Sequence, residues 1–249
     1  MTRLFHVSDV HFGREDREAI EWFSARVKEE QPDAIIMTGD LTMAAHRHEF
    51  EAAAKWLTDL GRPTTVEVGN HDLPYFNPWA RFVTPYKRYQ ALERMIEKPL
   101  DVKGVAVVPL KTTARFQFRL NWSKGYVSMR SLQQSLALVE AVPAGDMIFV
   151  ACHHPLVEGG TRMRSETRRG IRALDALSTA GAHAVLTGHV HDPFDIEHDL
   201  GGRTVRLIGA GTLSQRVRAK PPSFNEIIVK DGGFETVARF LGESSVPLS

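Results

Sequence analysis

Five short groups of polar residues carry side chains able to bind a metal or move a proton: Asp9-Val10-His11, Gly39-Asp40, Gly69-Asn70-His71-Asp72, His153-His154-Pro155 and Gly188-His189-Val190-His191. Carboxylate, imidazole and amide together make a borderline-hard nitrogen and oxygen donor set, suited to Mn, Fe, Zn or similar divalent ions. The chain holds eleven histidines and a single cysteine, Cys152. Internal disulfides and cysteine-based zinc sites are therefore excluded, and the imidazoles are the candidate ligands. A lone histidine or aspartate in such a place is usually a turn former or helix cap. Turns do not call for histidine, however, and turn chemistry does not explain five such groups together. Cys152 is expected to be a buried apolar residue.

Each group stands at the end of an apolar run of strand length: Leu4–Val10, Ala34–Thr38, Thr64–Val68, Met147–Ala151 and Ala184–Thr187. Segments of helical period separate these runs. Asp16–Gln31 places Ile20, Phe23 and Val27 on one face and stops before Pro32, and Glu49–Leu60 is closed by Gly61. Pro85–Ile96, Ser131–Val142 and Thr167–Ala180 read as further helices. The β-α-β-α-β opening implies parallel strands with helices on their faces. In open α/β sheets the ligand crevice lies outside the carboxyl ends of the strands, so the five groups are expected to converge on one rim. The D-x-H and H-x-H spacings would put paired side chains on the same side of an extended segment.

From Phe194 onward the pattern changes. Phe194–Leu200, Thr204–Ile208, Glu226–Lys230 and Thr236–Phe240 are short strands, joined by Gly201-Gly202 and Asp231-Gly232-Gly233, which are hairpin signals. This antiparallel part is expected to belong to a second sheet stacked on the first. No linker, repeat or charge block divides the chain, so residues 1–249 read as one domain, with a candidate helical cap or insertion at 75–100.

Lys plus Arg number 31 and Asp plus Glu 30, a formal net charge of +1 that argues against a dedicated nucleic-acid binder and against an acidic disordered chain. The opening MTRLFHVSDVHF is interrupted at His6 and Asp9, and no segment approaches the roughly 18–20 apolar residues of a membrane helix, so a cytoplasmic location is expected. Rival motifs fail: Gly209-Ala210-Gly211 lacks the third glycine of a dinucleotide loop, and G-x-x-x-x-G-K, H-E-x-x-H and G-x-S-x-G are absent. His46 and His48 stand near a predicted helix start and read as surface residues.

In this order, and spanning residues 9 to 191, the blocks D-x-H, G-D, G-N-H-D, H and G-H-x-H resemble those of the calcineurin-like metallophosphoesterase superfamily, with none degraded. The resemblance implies an α/β fold, a four-layer α-β-β-α sandwich of two mixed β-sheets flanked by helices. It implies two divalent metal ions, Mn, Fe, Zn or a mixture. One would be held by Asp9, His11, Asp40 and His191, and the second by Asp40, Asn70, His153 and His189, with Asp40 bridging. His153 is taken over His154 because the family ligand stands two residues before the proline. The resemblance gives His71 a hydrogen bond to the phosphoryl oxygen or a proton for the leaving alkoxide, with Asp72 either orienting its ring or acting as a turn acid. The implied reaction is hydrolysis by in-line attack of a metal-bridging hydroxide. Two divalent ions against two carboxylates leave the site formally positive, which attracts a phosphodiester monoanion.

The catalytic set does not choose the substrate. Arg162 and Arg164, beside Arg168 and Arg169, are candidate phosphate-gripping residues, and His154 joins them as a candidate substrate contact. Trp79, Phe82, Tyr86 and Tyr89, interleaved with Arg81, Lys87 and Arg88, could stack a nucleobase, hold a lipid tail or pack a helix. Gly209–Asn225, with Gly211-Thr212, Arg216 and Arg218, resembles a loop of class III cyclic nucleotide phosphodiesterases. The expected function is hydrolysis of small phosphodiesters such as cyclic nucleotides or glycerophosphodiesters. One alternative is a pyrophosphate hydrolase of a nucleotide-sugar lipid in the lipid A pathway, a branch that carries arginine where His71 stands. Another is a non-catalytic scaffold of the same fold, which would have lost ligands. The expected partner is a small-molecule phosphoester, with no stable nucleic-acid complex; a homodimer is compatible with the sequence.

Overall fold

A computed structural model describes residues 1–74, 78–96, 100–114, 123–159, 161, 165, 167–218, 220–243 and 246–247. The first three apolar runs become parallel strands: Thr2–Val7 (β1), Ala34–Met37 (β2) and Thr64–Val66 (β3), with Leu4 opposite Ala34 and Ile35 opposite Thr64. Between them run Arg17–Glu30 (α1) and Arg47–Asp59 (α2). Asp16 caps α1 by accepting from the Ala19 amide, and Gln31 ends it in the left-handed region at φ 48°, just before Pro32. The segment read as a helix over Pro85–Ile96 is instead Pro78–Val83 (α3) and Lys87–Ile96 (α4). A turn at Thr84–Lys87 separates the two, where Pro85 has no amide to continue the ladder.

Val105–Pro109 (β4), Met147–Ala151 (β5) and Ala184–Thr187 (β6) form a second parallel set. Its helices are Met129–Glu140 (α5) and Gly170–Ala180 (α6). β4 is not among the strands that the sequence pattern predicts. α6 starts at Gly170 rather than Thr167, because Thr167 turns its hydroxyl to the Pro155 carbonyl at 2.6 Å and a Cβ on Gly170 would meet the Leu156 carbonyl.

The C-terminal hairpins correct one expectation. Phe194–Asp199 (β7) and Thr204–Gly209 (β8) join the second parallel set, β8 running parallel to β6. Ser223–Lys230 (β9) and Gly233–Phe240 (β10), with Val246–Pro247 (β11), join the first, β9 running antiparallel to β1. The hairpins therefore do not build the second sheet; they extend both. Each parallel set has an open edge, at β1 and at β6, and pairing with a hairpin satisfies it. The sheets are six strands in the order β11-β10-β9-β1-β2-β3 and five in the order β4-β5-β6-β8-β7.

The two-residue period of the strands sorts side chains into three apolar layers. Leu4, Ala34 and Ile36 meet Phe149, Ala151, Ala184 and Leu186 between the sheets. Phe5, Val7, Ile35 and Met37 face Phe23 of α1 and Ala53, Trp56 and Leu57 of α2. Val150, Cys152 and Val185 face Val139 of α5 and Leu174 and Leu177 of α6. The result is helix, sheet, sheet and helix, with Phe224 of β9 packed 4.7 Å from Phe5 and 5.0 Å from Phe23, ring centre to ring centre. α4 lies on the first sheet and α2: Tyr89 donates to the Val66 carbonyl and Arg88 to the Ala45 carbonyl, each at 2.6 Å. Among the described residues no helix is long and apolar enough to cross a membrane.

Candidate dimetal centre

All five polar groups meet at one end of the sandwich, beyond the carboxyl ends of β1, β2 and β3 in one sheet and β5 and β6 in the other. Ladder-like bonds continue past the strands and hold the loops together. The Asp9 amide donates to Gly39 and the His11 amide to Asp40, both at 3.0 Å, and Gly188 donates to the His153 carbonyl at 3.0 Å. The paired residues are not extended, as their spacing predicts. Asp9, His11, Asp40, His189 and His191 all lie at positive φ, between 50° and 72°. Asp and His tolerate this left-handed region better than most side chains, and clusters of such residues mark functional sites. Glycine is needed where the loops cross. A Cβ on Gly69 would fall on the Asp40 carboxylate, and one on Gly188 on Ser8 Oγ and the Asp9 carboxylate.

The donor atoms converge. His191 Nε2 is 3.0 Å and His11 Nε2 3.6 Å from Asp9 Oδ1, and the two imidazole nitrogens are 3.3 Å apart. His153 Nε2 is 3.2 Å from Asp40 Oδ2 and 3.2 Å from Asn70 Oδ1, while His11 Nε2 is 3.9 Å from the same Asp40 oxygen. An ion with bonds of roughly 2.0–2.1 Å spaces its ligands about 3.0–3.4 Å apart, which the separations of 3.0 to 3.3 Å match, while the two carboxylate contacts of His11, at 3.6 and 3.9 Å, are longer. Asp9 is fully buried, and its Oδ1 faces two imidazole nitrogens, a donor cluster able to share one cation. His189 sets its ring 5.2 Å from that of His153, centre to centre.

The far nitrogens of two imidazoles are fixed by carbonyls. His153 Nδ1 donates to Thr38 O and His191 Nδ1 to Arg216 O, both at 2.8 Å, which turns each Nε2 toward the centre. Electrostatics follow from this crowding. Burial disfavours the charges on Asp9 and Asp40, but the facing imidazoles outweigh it, chiefly His191 for Asp9 and His153 for Asp40, and both carboxyls stay well below the usual carboxylate range. Burial would lower His153, yet Asp40 raises it to about 9. For His189, burial and the neighbouring His153 outweigh the pull of Asp40 and Asp9 and push it down to about 3.

Of the two roles offered to Asp72, its contacts are those of a turn acid: the carboxylate accepts from the amides of Gly69 and Thr42 and from Thr42 Oγ1, each at 2.9 Å, and from Leu41 N at 3.3 Å. It is a brace between the loops after β2 and β3. The His71 ring is held instead by Met43 O, 2.7 Å from Nδ1, and by Arg216 Nη1, 3.1 Å from Nε2. His154 clusters with His153 and His189; its Nδ1 receives the Thr112 hydroxyl at 2.9 Å and its Nε2 donates to Ser123 O at 2.8 Å. Arg162 and Arg164 lie outside the described residues. Arg169 turns to Tyr126, its Nη1 3.1 Å from the hydroxyl.

Reading the sequence missed the placing role of the segment after β8. Thr212 Oγ1 donates to the Asp9 carbonyl at 2.6 Å and pairs with Ser214 Oγ at 2.7 Å, and Ser214 Oγ accepts from the Arg216 amide at 3.3 Å. The sequence singles out Gly209–Asn225 by its resemblance to a loop, and the polar string Gly211-Thr212 through Arg216 within it names no partner.

Two mixed sheets between helices, with imidazoles and carboxylates gathered at the strand ends, define a metallophosphoesterase fold. Residues 2–193 match the family described as calcineurin-like phosphoesterase, and the chain belongs to that family of metal-dependent phosphoesterases. Among curated proteins, it is 26% identical over 220 residues to the SbcD component of the nuclease SbcCD from Staphylococcus epidermidis, covering 79% of this chain and 58% of that protein. The chain thus spans less than two thirds of the length of this relative. Its fold is that of a dimetal phosphatase from Danio rerio, at TM-score 0.68 and 12% identity, covering 100% of this chain and 99% of the other. The purple acid phosphatase PPD1 of yellow lupin superposes at TM-score 0.69 and 11% identity, covering 100% of this chain and 53% of the other.

Proposed function

We propose that the chain hydrolyses small phosphodiesters, of the cyclic nucleotide or glycerophosphodiester type, with two divalent ions. Asp9, His11, Asp40 and His191 would hold one ion, and Asp40, Asn70, His153 and His189 the other. When bound, the ions supply Lewis-acid charge and lower the pKa of water, the chemistry of a two-metal phosphoesterase. The chain's own residues do the rest. Thr38 and Arg216 carbonyls aim His153 and His191, Asp72 holds the loops in register, and neutral Asn70 in place of a carboxylate keeps the centre positive toward an anionic substrate. The observation that carries the reading is the convergence of the buried Asp9 Oδ1 with the Nε2 atoms of His11 and His191, beside a second cluster of Asp40 and His153.

The test is turnover by the Mn²⁺-loaded protein of bis-p-nitrophenyl phosphate, p-nitrophenyl phosphate, cyclic AMP and a linear DNA duplex. Hydrolysis of the small diesters is expected. No turnover with two metals bound would sink the enzyme reading, turnover of the monoester alone would remove the diesterase reading, and efficient cleavage of DNA alone would replace the small diester by a nucleic acid.

A further inference from the structure

We propose that Arg216 is a phosphoryl-binding residue of this centre, steered into place by His71; the inference rests on the phosphoesterase reading above. Arg216 is anchored to the rim by its main chain. Its amide donates to Ser214 Oγ at 3.3 Å and its carbonyl accepts from His191 Nδ1 at 2.8 Å. The half-buried side chain then reaches the loop after β3, with Nη1 3.1 Å from His71 Nε2 and 3.9 Å from Met43 Sδ. Among the described residues no carboxylate forms an ion pair with it, whereas Arg203, Arg206 and Arg239 each have one. A guanidinium kept partly out of water without an anion is costly unless an anion arrives.

The polarity of the contacts decides which group offers a proton to the substrate. A carbonyl oxygen can only accept and a guanidinium can only donate. Met43 O at Nδ1 requires a hydrogen on that nitrogen, and Arg216 Nη1 at Nε2 makes that nitrogen the acceptor of the pair. In this arrangement Nε2 of His71 accepts, and the donor offered to an anion is Arg216, the reverse of the donor role that the resemblance gave to His71. The two hydrogens of Nη1 go to His71 Nε2 and Met43 Sδ, and the three donors on Nε and Nη2 form the fork that suits phosphate. A phosphodiester has two non-bridging oxygens, so one can face the cations while Arg216 takes the other. The ligand class is an anionic phosphoryl group.

Three measurements on the whole chain test this. Binding of inorganic phosphate to the Mn²⁺-loaded protein, by calorimetry, should weaken about 10–100-fold in Arg216→Ala, the loss of one charge-assisted hydrogen bond or pair, and partially in Arg216→Lys. Arg203→Ala, at a surface ion pair, should bind as the wild type does. Turnover of bis-p-nitrophenyl phosphate by Arg216→Ala should fall with both metals retained and recover in part on adding guanidinium ion. In metal-free protein, ¹⁵N spectra should show His71 protonated at Nδ1, with the Nε2 resonance moving in Arg216→Ala. Phosphate affinity and turnover within twofold of wild type in Arg216→Ala overturn the proposal, as does loss of metal in both Arg216 variants, which would make the residue a support for His191. If wild type hydrolyses nothing but binds phosphate through Arg216, the proposed function fails and this one stands.

Discussion

His153 Nδ1 donates to the carbonyl oxygen of Thr38 at 2.8 Å, across the gap between the two sheets. Thr38 follows β2 in the six-stranded sheet, and His153 follows β5 in the five-stranded one. The bond fixes the tautomer of His153, so that Nε2 faces Asp40 Oδ2 at 3.2 Å and Asn70 Oδ1 at 3.2 Å. One sheet thereby aims a candidate ligand carried by the other.

Removing that imidazole should cost one ion rather than both. His153→Ala is expected to lower the metal content from two per chain to one, because Asp9, His11 and His191 form their own cluster. Metal analysis after gel filtration measures it; retention of two ions would take His153 out of the ligand set.

Metal uptake should release protons. In the metal-free protein Asp40 raises His153 to about 9 against the effect of burial, and Asp9 raises His191. A ligating imidazole must be neutral, so at pH 7.5 an incoming ion displaces the His153 proton, and affinity climbs with pH until about pH 9, by at most about tenfold per pH unit for each proton. Calorimetry in buffers of different ionisation enthalpy reads the proton count directly. Affinity that is flat from pH 6.5 to 9 would contradict the linkage.

Asp72 and His71 are neighbours in sequence with separable roles. Asp72→Ala strands the buried amides of Gly69, Leu41 and Thr42 and should destabilise by at least about 1–3 kcal/mol, lowering Tm by about 2–4 °C for each kcal/mol. His71→Ala should leave Tm and metal content near wild type and reduce turnover about 100-fold, the scale of a misplaced reacting group. Thermal denaturation beside steady-state kinetics separates the two; a reversed pattern would reassign both.

Gly188→Ala should be far worse than Gly233→Ala. The first Cβ falls on Ser8 Oγ and the Asp9 carboxylate, the second meets nothing closer than the Lys230 carbonyl at 3.9 Å. Overpacking of this kind costs about 1–3 kcal/mol, and here it also moves a candidate ligand. Chemical denaturation and metal titration of both variants provide the comparison; equal behaviour would show that the loop relaxes freely.

Cys152 should resist thiol reagents in the folded protein. It is fully buried, and burial with the nearby Glu67 pushes its thiol pKa well up. Reaction with a disulfide reagent is expected only in denaturant; rapid labelling of the native chain would mean that β5 opens at its end.

Much of this molecule is already present in the linear pattern. The runs Ala34–Met37, Met147–Ala151 and Ala184–Thr187 are strands because a short unbroken apolar segment can be buried on both faces, and that property is local. The metal-binding groups are legible for a related reason: their residue types are chosen by chemistry at strand ends, where fold periodicity asks for none of them. What the sequence could not decide depends on contacts between distant segments. The hairpin β7–β8 and the hairpin β9–β10 carry equivalent turn signals, and only the open edges at β6 and β1 determine that they enter different sheets. His153 and His154 are indistinguishable as types, and it is Thr38 in one case, and Thr112 with Ser123 in the other, that sets what each ring faces. Arg216 reaches His71 across 145 positions of chain. Hydrogen-bond polarity at that meeting point makes one residue the acceptor and the other the donor, and no pattern of spacing contains it.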